Sequence, residues 1–189
     1  YAVWNPASPA VLHDPLVKKV ITGAVPHNAG NFTFLLRAVS TTAAEAAGVL
    51  PMPLAAGGNQ EMQLEIQGAG EEEFGDITFR LPGTYVYEIS ELPIGRRGFS
   101  FDSNPVTVTY VVTQSGSVLN ATRTMEKRGQ AVTEAVFTNE FEKPNYIVTF
   151  DGNGAWRPFE SQTVREGLTA TEPTRKPIRS YGKFIGWYL

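Results

Sequence analysis

From residue 16 to residue 142 the chain runs in short stretches of β-branched and aromatic residues separated by turn formers. That spacing, with no helix-length periodic segment between the stretches, predicts an all-β protein built as an antiparallel sandwich. Strands are expected at 16–22, 31–38, 60–66, 76–80, 83–91, 105–113, 117–126 and 132–142. Gly23, Pro26, Asn28, Gly30, Gly57, Gly58, Pro82, Gly98, Asn104, Gly116 and Gly129 supply the breaks. One helical turn is expected near 42–48, where Thr42 and Glu45 have capping-box spacing and Gly48 provides a stop.

Three of these stretches carry polar groups on faces that are otherwise apolar. In AVFTNEF (135–141), Ala135, Phe137, Asn139 and Phe141 share one side of a strand. An unpaired amide there would cost about 1–3 kcal/mol. In GTYVYEISE (83–91), Tyr85, Tyr87, Ile89 and Glu91 share a side, so a carboxyl group ends an aromatic stripe. In VKKVITG (17–23), Val17 and Ile21 flank Lys19, while Leu16 and Val20 flank Lys18 just as apolarly. Alternation alone leaves the two lysines open. Asn139 also reads as a satisfied core or sheet-edge amide, and Glu91 as a solvent-facing strand end before Leu92 and Pro93. A lysine, an asparagine and a glutamate on inward faces of three strands are the groups that an intramolecular Lys–Asn isopeptide bond requires.

Composition removes most alternatives. A net charge of −3 gives no reason to expect a nucleic-acid or anionic membrane partner. No apolar run is long enough for a spanning helix. Cysteine is absent, which excludes disulfides, thiolate metal sites and a cysteine nucleophile. His13 and His27 have no ligand spacing around them, and in DGNG (151–154) a calcium reading is weakened by Gln162 at the twelfth loop position. Neither a metal nor a cofactor is expected. Tyr85, Tyr87 and Tyr110 read as core, the acidic run 71–73 as a solvated loop, and the sequons at Asn31 and Asn120 as chance.

The chain begins with Tyr1, and with no visible leader it reads as a mature or excised piece of something longer. Residues 1–14, rich in Pro and Ala, are expected to be a lead-in linker, 15–143 the sandwich, and 144–189 a second small module. Pro144 interrupts the strand pattern, and YIVTFDGNG (146–154) starts a new one that ends on KFIGWYL (183–189) without a successor strand. That module is expected to be incomplete.

The first segment resembles the streptococcal-type pilin isopeptide linkage domain of Gram-positive surface proteins. KVITG (19–23), NFTFLL (31–36), GDITFRLPGTYVYEISE (75–91), GFSFDSNPVTVTYVV (98–112) and FTNEF (137–141) carry the likeness in that order. The resemblance implies an immunoglobulin-like sandwich cross-linked between its first and last strands. It assigns Lys19 as the amine, Asn139 as the amide and Glu91 as the catalytic carboxyl, with Lys18 the alternative amine. The second segment resembles a Listeria–Bacteroides repeat, the small β-grasp-like module of internalin-type surface proteins, through YIVTFDGNG, Val164, PTRKP (173–177) and FIGWYL (184–189). It departs from that pattern at Ala155 and Trp156, where a second glycine is common, and in lacking further strands after GWY.

These likenesses imply an extracellular segment of the bacterial cell surface or cell wall whose partners are other domains or subunits of a pilus. The cross-link would be a single self-modification rather than enzymatic turnover. Burial should lower the lysine pKa so that a neutral amine can attack, and raise that of Glu91 so that it is protonated and can shuttle protons. An adhesin module binding a host protein or glycan is the competing reading, with Trp156 and Trp187 as candidates, although Trp187 reads better as core.

Overall fold

The computed structural model describes residues 8–12, 15–45, 49–93 and 95–188. The chain divides into two compact units, residues 1–141 and 142–189.

Among the described residues, the first unit holds twelve strands. They are β1 (Ala10–Leu12), β2 (Leu16–Gly23), β3 (Asn31–Thr41), β4 (Glu61–Gln67), β5 (Gly70–Glu73), β6 (Ile77–Phe79), β7 (Gly83–Leu92), β8 (Phe99–Ser100), β9 (Val106–Ser115), β10 (Val118–Lys127), β11 (Gln130–Val132) and β12 (Ala135–Phe141). One sheet runs in the order β11-β10-β9-β7-β3-β4 and the other in the order β5-β2-β12-β8, while β1 pairs with β6. Alternation decides what each strand buries. Phe32, Phe34 and Leu36 of β3, Tyr85, Tyr87 and Ile89 of β7, and Val106, Val108 and Tyr110 of β9 are all fully buried. Facing them from the second sheet are Val17 of β2 and Ala135 and Phe137 of β12. Phe34 meets Phe137 across the sandwich with ring centroids 5.3 Å apart.

The first long strand and the last lie side by side. β2 and β12 pair in parallel, Lys19 opposite Phe137 and Ile21 opposite Asn139. The pairing ends at Gly23, which has φ +83° and where an added Cβ would fall 2.4 Å from the carbonyl oxygen of Phe141. Only a residue without a Cβ lets the backbones close up there.

Several expectations need correction. Residues 8–12 belong to the sandwich rather than to a linker: Ser8 N–H donates to the Ser117 carbonyl at 2.8 Å, and Ala10 is buried. The rest of the expected linker, 1–7, 13 and 14, lies outside the described residues. The acidic run 71–73 is a sheet-edge strand with its three glutamates exposed, and Lys18 pairs with Glu71 at 2.8 Å. Charge on an edge strand discourages pairing with another chain. Residues 42–45 are not helical, and 46–48 lie outside the described residues. Thr42 Oγ1 accepts from the Thr84 N–H at 2.9 Å, and Glu45 accepts from the Tyr85 hydroxyl at 2.9 Å. Neighbours on β7 have taken the groups that would have capped a helix.

In the second unit, β13 (Asn145–Val148) and β14 (Gln162–Arg165) form an antiparallel pair. The DGNG segment is an Asx turn. Asp151 Oδ1 accepts from the Asn153 N–H at 2.8 Å, with Asn153 and Gly154 at positive φ. Trp187 sits among Phe150, Phe159 and Phe184, at centroid distances of 5.4, 4.9 and 5.5 Å, which makes it a packing residue. Residues 183–188 form no strand. Suitable side chains do not make a strand without a neighbour to complete its hydrogen bonds.

Candidate cross-linking site

Among the described residues, the buried amide and charged side chains are Lys19, Glu91 and Asn139, exposed by 2%, 6% and 0%. Lys19 and Asn139 each touch Glu91. The parallel register sets Lys19 beside Phe137, so Asn139, two residues on, lies on the same inward face of β12. Glu91 reaches in from β7 of the opposing sheet, one strand end away from the aromatic stripe that buries it.

Lys19 Nζ lies 3.0 Å from Glu91 Oε1 and 3.1 Å from Oε2. Asn139 Nδ2 donates to the same Oε1 at 2.6 Å. Asn139 Oδ1 accepts from the backbone N–H of Asp102 at 3.0 Å, and because that N–H can only donate, its partner must be the amide oxygen. Lys19 Nζ also lies 3.5 Å from the Phe137 carbonyl oxygen and 4.6 Å from the centre of the Phe32 ring. Every polar group of the trio is hydrogen-bonded, which is what makes its burial tolerable.

Burial pushes the Lys19 amine below its ordinary value of 10.5, against the attraction and hydrogen bond of Glu91 and the attraction of Asp102. Lys127 pushes it in the same direction as burial. Desolvation disfavours the ammonium form, and one carboxylate partner does not offset it.

Lys18 points the other way. Its side chain is 38% exposed and lies on Glu71, away from both Asn139 and Glu91. Sequence reasoning missed two neighbours of the trio. Asp102, between β8 and β9, accepts from Lys127 Nζ at 2.8 Å and from the Asn104 N–H at 3.2 Å. Lys127 at the end of β10 also donates to the Val136 carbonyl and lies 4.2 Å from the centre of the Phe137 ring. The Asp-x-Asn spacing of FDSNP marks a turn, which was the only local signal for Asp102. Among the described residues no three His, Cys, Asp or Glu side chains cluster as metal ligands, and no helix is long and apolar enough to cross a membrane.

The arrangement places an amine and a carboxamide on adjacent strands, with one carboxylate oxygen in contact with both nitrogens. Residues 15–142 match the family model of the Spy0128-like isopeptide-containing domain (FctA), and the chain belongs to that family. Among solved structures, the chain is similar to the major pilin from Streptococcus pyogenes, with 20% identity over 77% of this chain and 54% of the pilin and a TM-score of 0.47. It is also similar to the T-13 major pilin of Streptococcus pyogenes, with 13% identity over 84% of this chain and 72% of that one and a TM-score of 0.44. The T3.2 major pilin of the same species is 19% identical over 77% of this chain and 56% of the pilin, with a TM-score of 0.43. The chain spans about half the length of the first of these pilins. No curated protein matches it.

Proposed function

We propose that this chain is a structural segment of a pilus or related surface protein of a Gram-positive bacterium, locked by an intramolecular Lys19–Asn139 isopeptide bond that its own fold makes. The observation that carries the reading is the single oxygen, Glu91 Oε1, lying 3.0 Å from the Lys19 amine and 2.6 Å from the Asn139 amide nitrogen in a dry interior. Within the Lys19–Glu91 contact a proton can pass from amine to carboxylate, leaving two neutral groups where water-free surroundings penalise two charges. The neutral amine then attacks Cγ of Asn139. Glu91 hands a proton on to Nδ2, the Cγ–Nδ2 bond breaks, and ammonia leaves. Folding supplies the proximity, so the reaction needs no second molecule and runs once.

The benefit is mechanical. A cross-link between the neighbouring strands β2 and β12 puts the segment between Lys19 and Asn139 outside the path of a pulling force. Single-molecule stretching from the two chain ends tests this. The wild-type sandwich is expected to contribute no lengthening from the segment between Lys19 and Asn139. An Asn139→Ala chain should release that segment, about 120 residues at ~3.3–3.6 Å each, or roughly 400 Å. A wild-type chain that lengthens as the variant does would overturn the reading.

The second unit is read as a module like the Listeria–Bacteroides repeat, supported by its hairpin, the Asp151–Gly154 turn and the aromatic packing around Trp187. The competing adhesin reading draws on Trp156, which is 76% exposed, whereas Trp187 is occupied in packing.

A further inference from the structure

We infer that the backbone N–H of Asp102 is the donor that holds the oxyanion formed on Asn139, and that the Asp102–Lys127 ion pair is the device that positions it. The inference rests on the proposed cross-linking reaction. When Nζ of Lys19 bonds to Cγ of Asn139, an electron pair moves onto Oδ1. It returns when Cγ–Nδ2 breaks, the proton from Nζ reaching Nδ2 through Glu91 and departing in ammonia. During that interval Oδ1 carries negative charge, and the group facing it is the Asp102 N–H at 3.0 Å. The donor already engages the ground-state oxygen, and a fixed donor in a dry site requires little reorganisation as charge develops there.

A loop amide is useful in this role only if the loop is held, and Asp102 is held on three sides. Its carboxylate accepts from Lys127 Nζ at 2.8 Å, from Asn104 N–H at 3.2 Å and Nδ2 at 3.1 Å, and from the Thr138 N–H at 3.4 Å on β12 itself. The Asp102 and Lys127 side chains are 12% and 14% exposed. Lys127 in turn is anchored to the Val136 carbonyl, one residue before Phe137 on the same strand. The pair also cancels a charge that would oppose the reaction. An unaccompanied Asp102 carboxylate would repel an oxyanion on Asn139 and favour the ammonium form of Lys19. The charged groups whose fields reach Lys19 are Glu91 on β7, Asp102 in the β8–β9 loop and Lys127 on β10.

The test is the rate of bond formation in full chains obtained unfolded and unlinked, refolded by dilution, quenched at intervals and weighed intact. Asp102→Pro removes the N–H together with the carboxylate and should slow linkage roughly 10²-fold relative to Asp102→Asn, which keeps the N–H, while tyrosine fluorescence reports folding at the wild-type rate. Should the proline variant not fold, a backbone amide-to-ester replacement at residue 102 removes the same hydrogen with less disturbance. Two side-chain variants separate positioning from mere support. Lys127→Met leaves Asp102 with the exposed Arg128 guanidinium at 4.0 Å in place of its close partner and should move the pH–rate profile to higher pH. Asp102→Asn keeps the N–H and leaves the Lys127 cation, so it should move the profile to lower pH. A wild-type chain that links together with an N–H-deleted chain that links equally fast overturns this inference alone, as do side-chain variants that shift the profile in the same direction. A folded wild-type chain that never links overturns the parent reading and this one together.

Discussion

Replacing Lys19 by methionine is expected to leave the chain at its full sequence mass and to lower its melting temperature by roughly 10–20 °C, since a closure of about 120 residues contributes on the order of 4–5 kcal/mol. Methionine keeps an unbranched apolar side chain opposite Phe137 and removes the amine that lies over the Phe32 ring, so packing changes little and the losses are the cross-link and Glu91's partner. Asn139→Ala should likewise stay at its own full sequence mass, but with an amine still buried. In that unlinked chain the folded-state pKa of Lys19 lies below its unfolded value of 10.5, so the folded state resists binding that proton. Stability should therefore rise as pH climbs from the lowered folded value toward 10.5, and Lys19→Met should lack this rise. Lys18→Ala serves as the control. Its side chain lies on Glu71 at the surface, so the chain should still lose ammonia. Intact mass and thermal melts followed by near-ultraviolet circular dichroism check both points. Loss of linkage in Lys18→Ala but not in Lys19→Met would reassign the amine.

Glu91→Gln is expected to abolish the cross-link and to cost stability beyond that loss. Glutamine keeps the shape of the side chain but cannot relay a proton between Lys19 Nζ and Asn139 Nδ2, so the mass should remain full. It also strips the buried lysine of its counter-charge, a change that costs about 3–5 kcal/mol when one partner of an internal pair is removed. The variant thus loses the cross-link and leaves a buried amine without its counter-charge, just as Lys19→Met leaves the Glu91 carboxyl without its own. The double variant Lys19→Met/Glu91→Gln supplies the decisive comparison. With no unpaired charge left, it should be more stable than Glu91→Gln alone, although neither chain is linked. Denaturant titrations of the three variants measure the order. A double variant no more stable than Glu91→Gln would mean that the charge pair does not govern the site's energetics.

Strand periodicity made much of this fold readable, and the exceptions have physical causes. The inward faces of β7 and β12 follow from strict alternation in GTYVYEISE and AVFTNEF, where every second residue is apolar or one of the anomalous polar groups. In β2 alternation could not choose between the lysines, because Leu16 and Val20 on the outer face are apolar too. In the structure those two are half-buried, so the outer face is partly covered. Strands β1, β5, β8 and β11 are two to four residues long, too short to show a period, and exist only because a neighbour offers its edge. The helical turn expected at Thr42 was displaced by tertiary hydrogen bonds to Thr84 and Tyr85. Asp102 and Lys127 stand 25 residues apart, and neither looks unusual in its own stretch of sequence. Only the packing of the β8–β9 loop along β12 reveals what they hold.

The most direct measurement is the intact mass of the folded wild-type chain, followed by protease digestion and sequencing of any branched peptide. A chain lighter than its sequence by about 17 Da, the mass of the ammonia released when the amide forms, with Lys19 joined to Asn139 in one peptide, is the expected result. A folded chain at full mass, with Lys19 and Asn139 recovered in separate peptides, would contradict it.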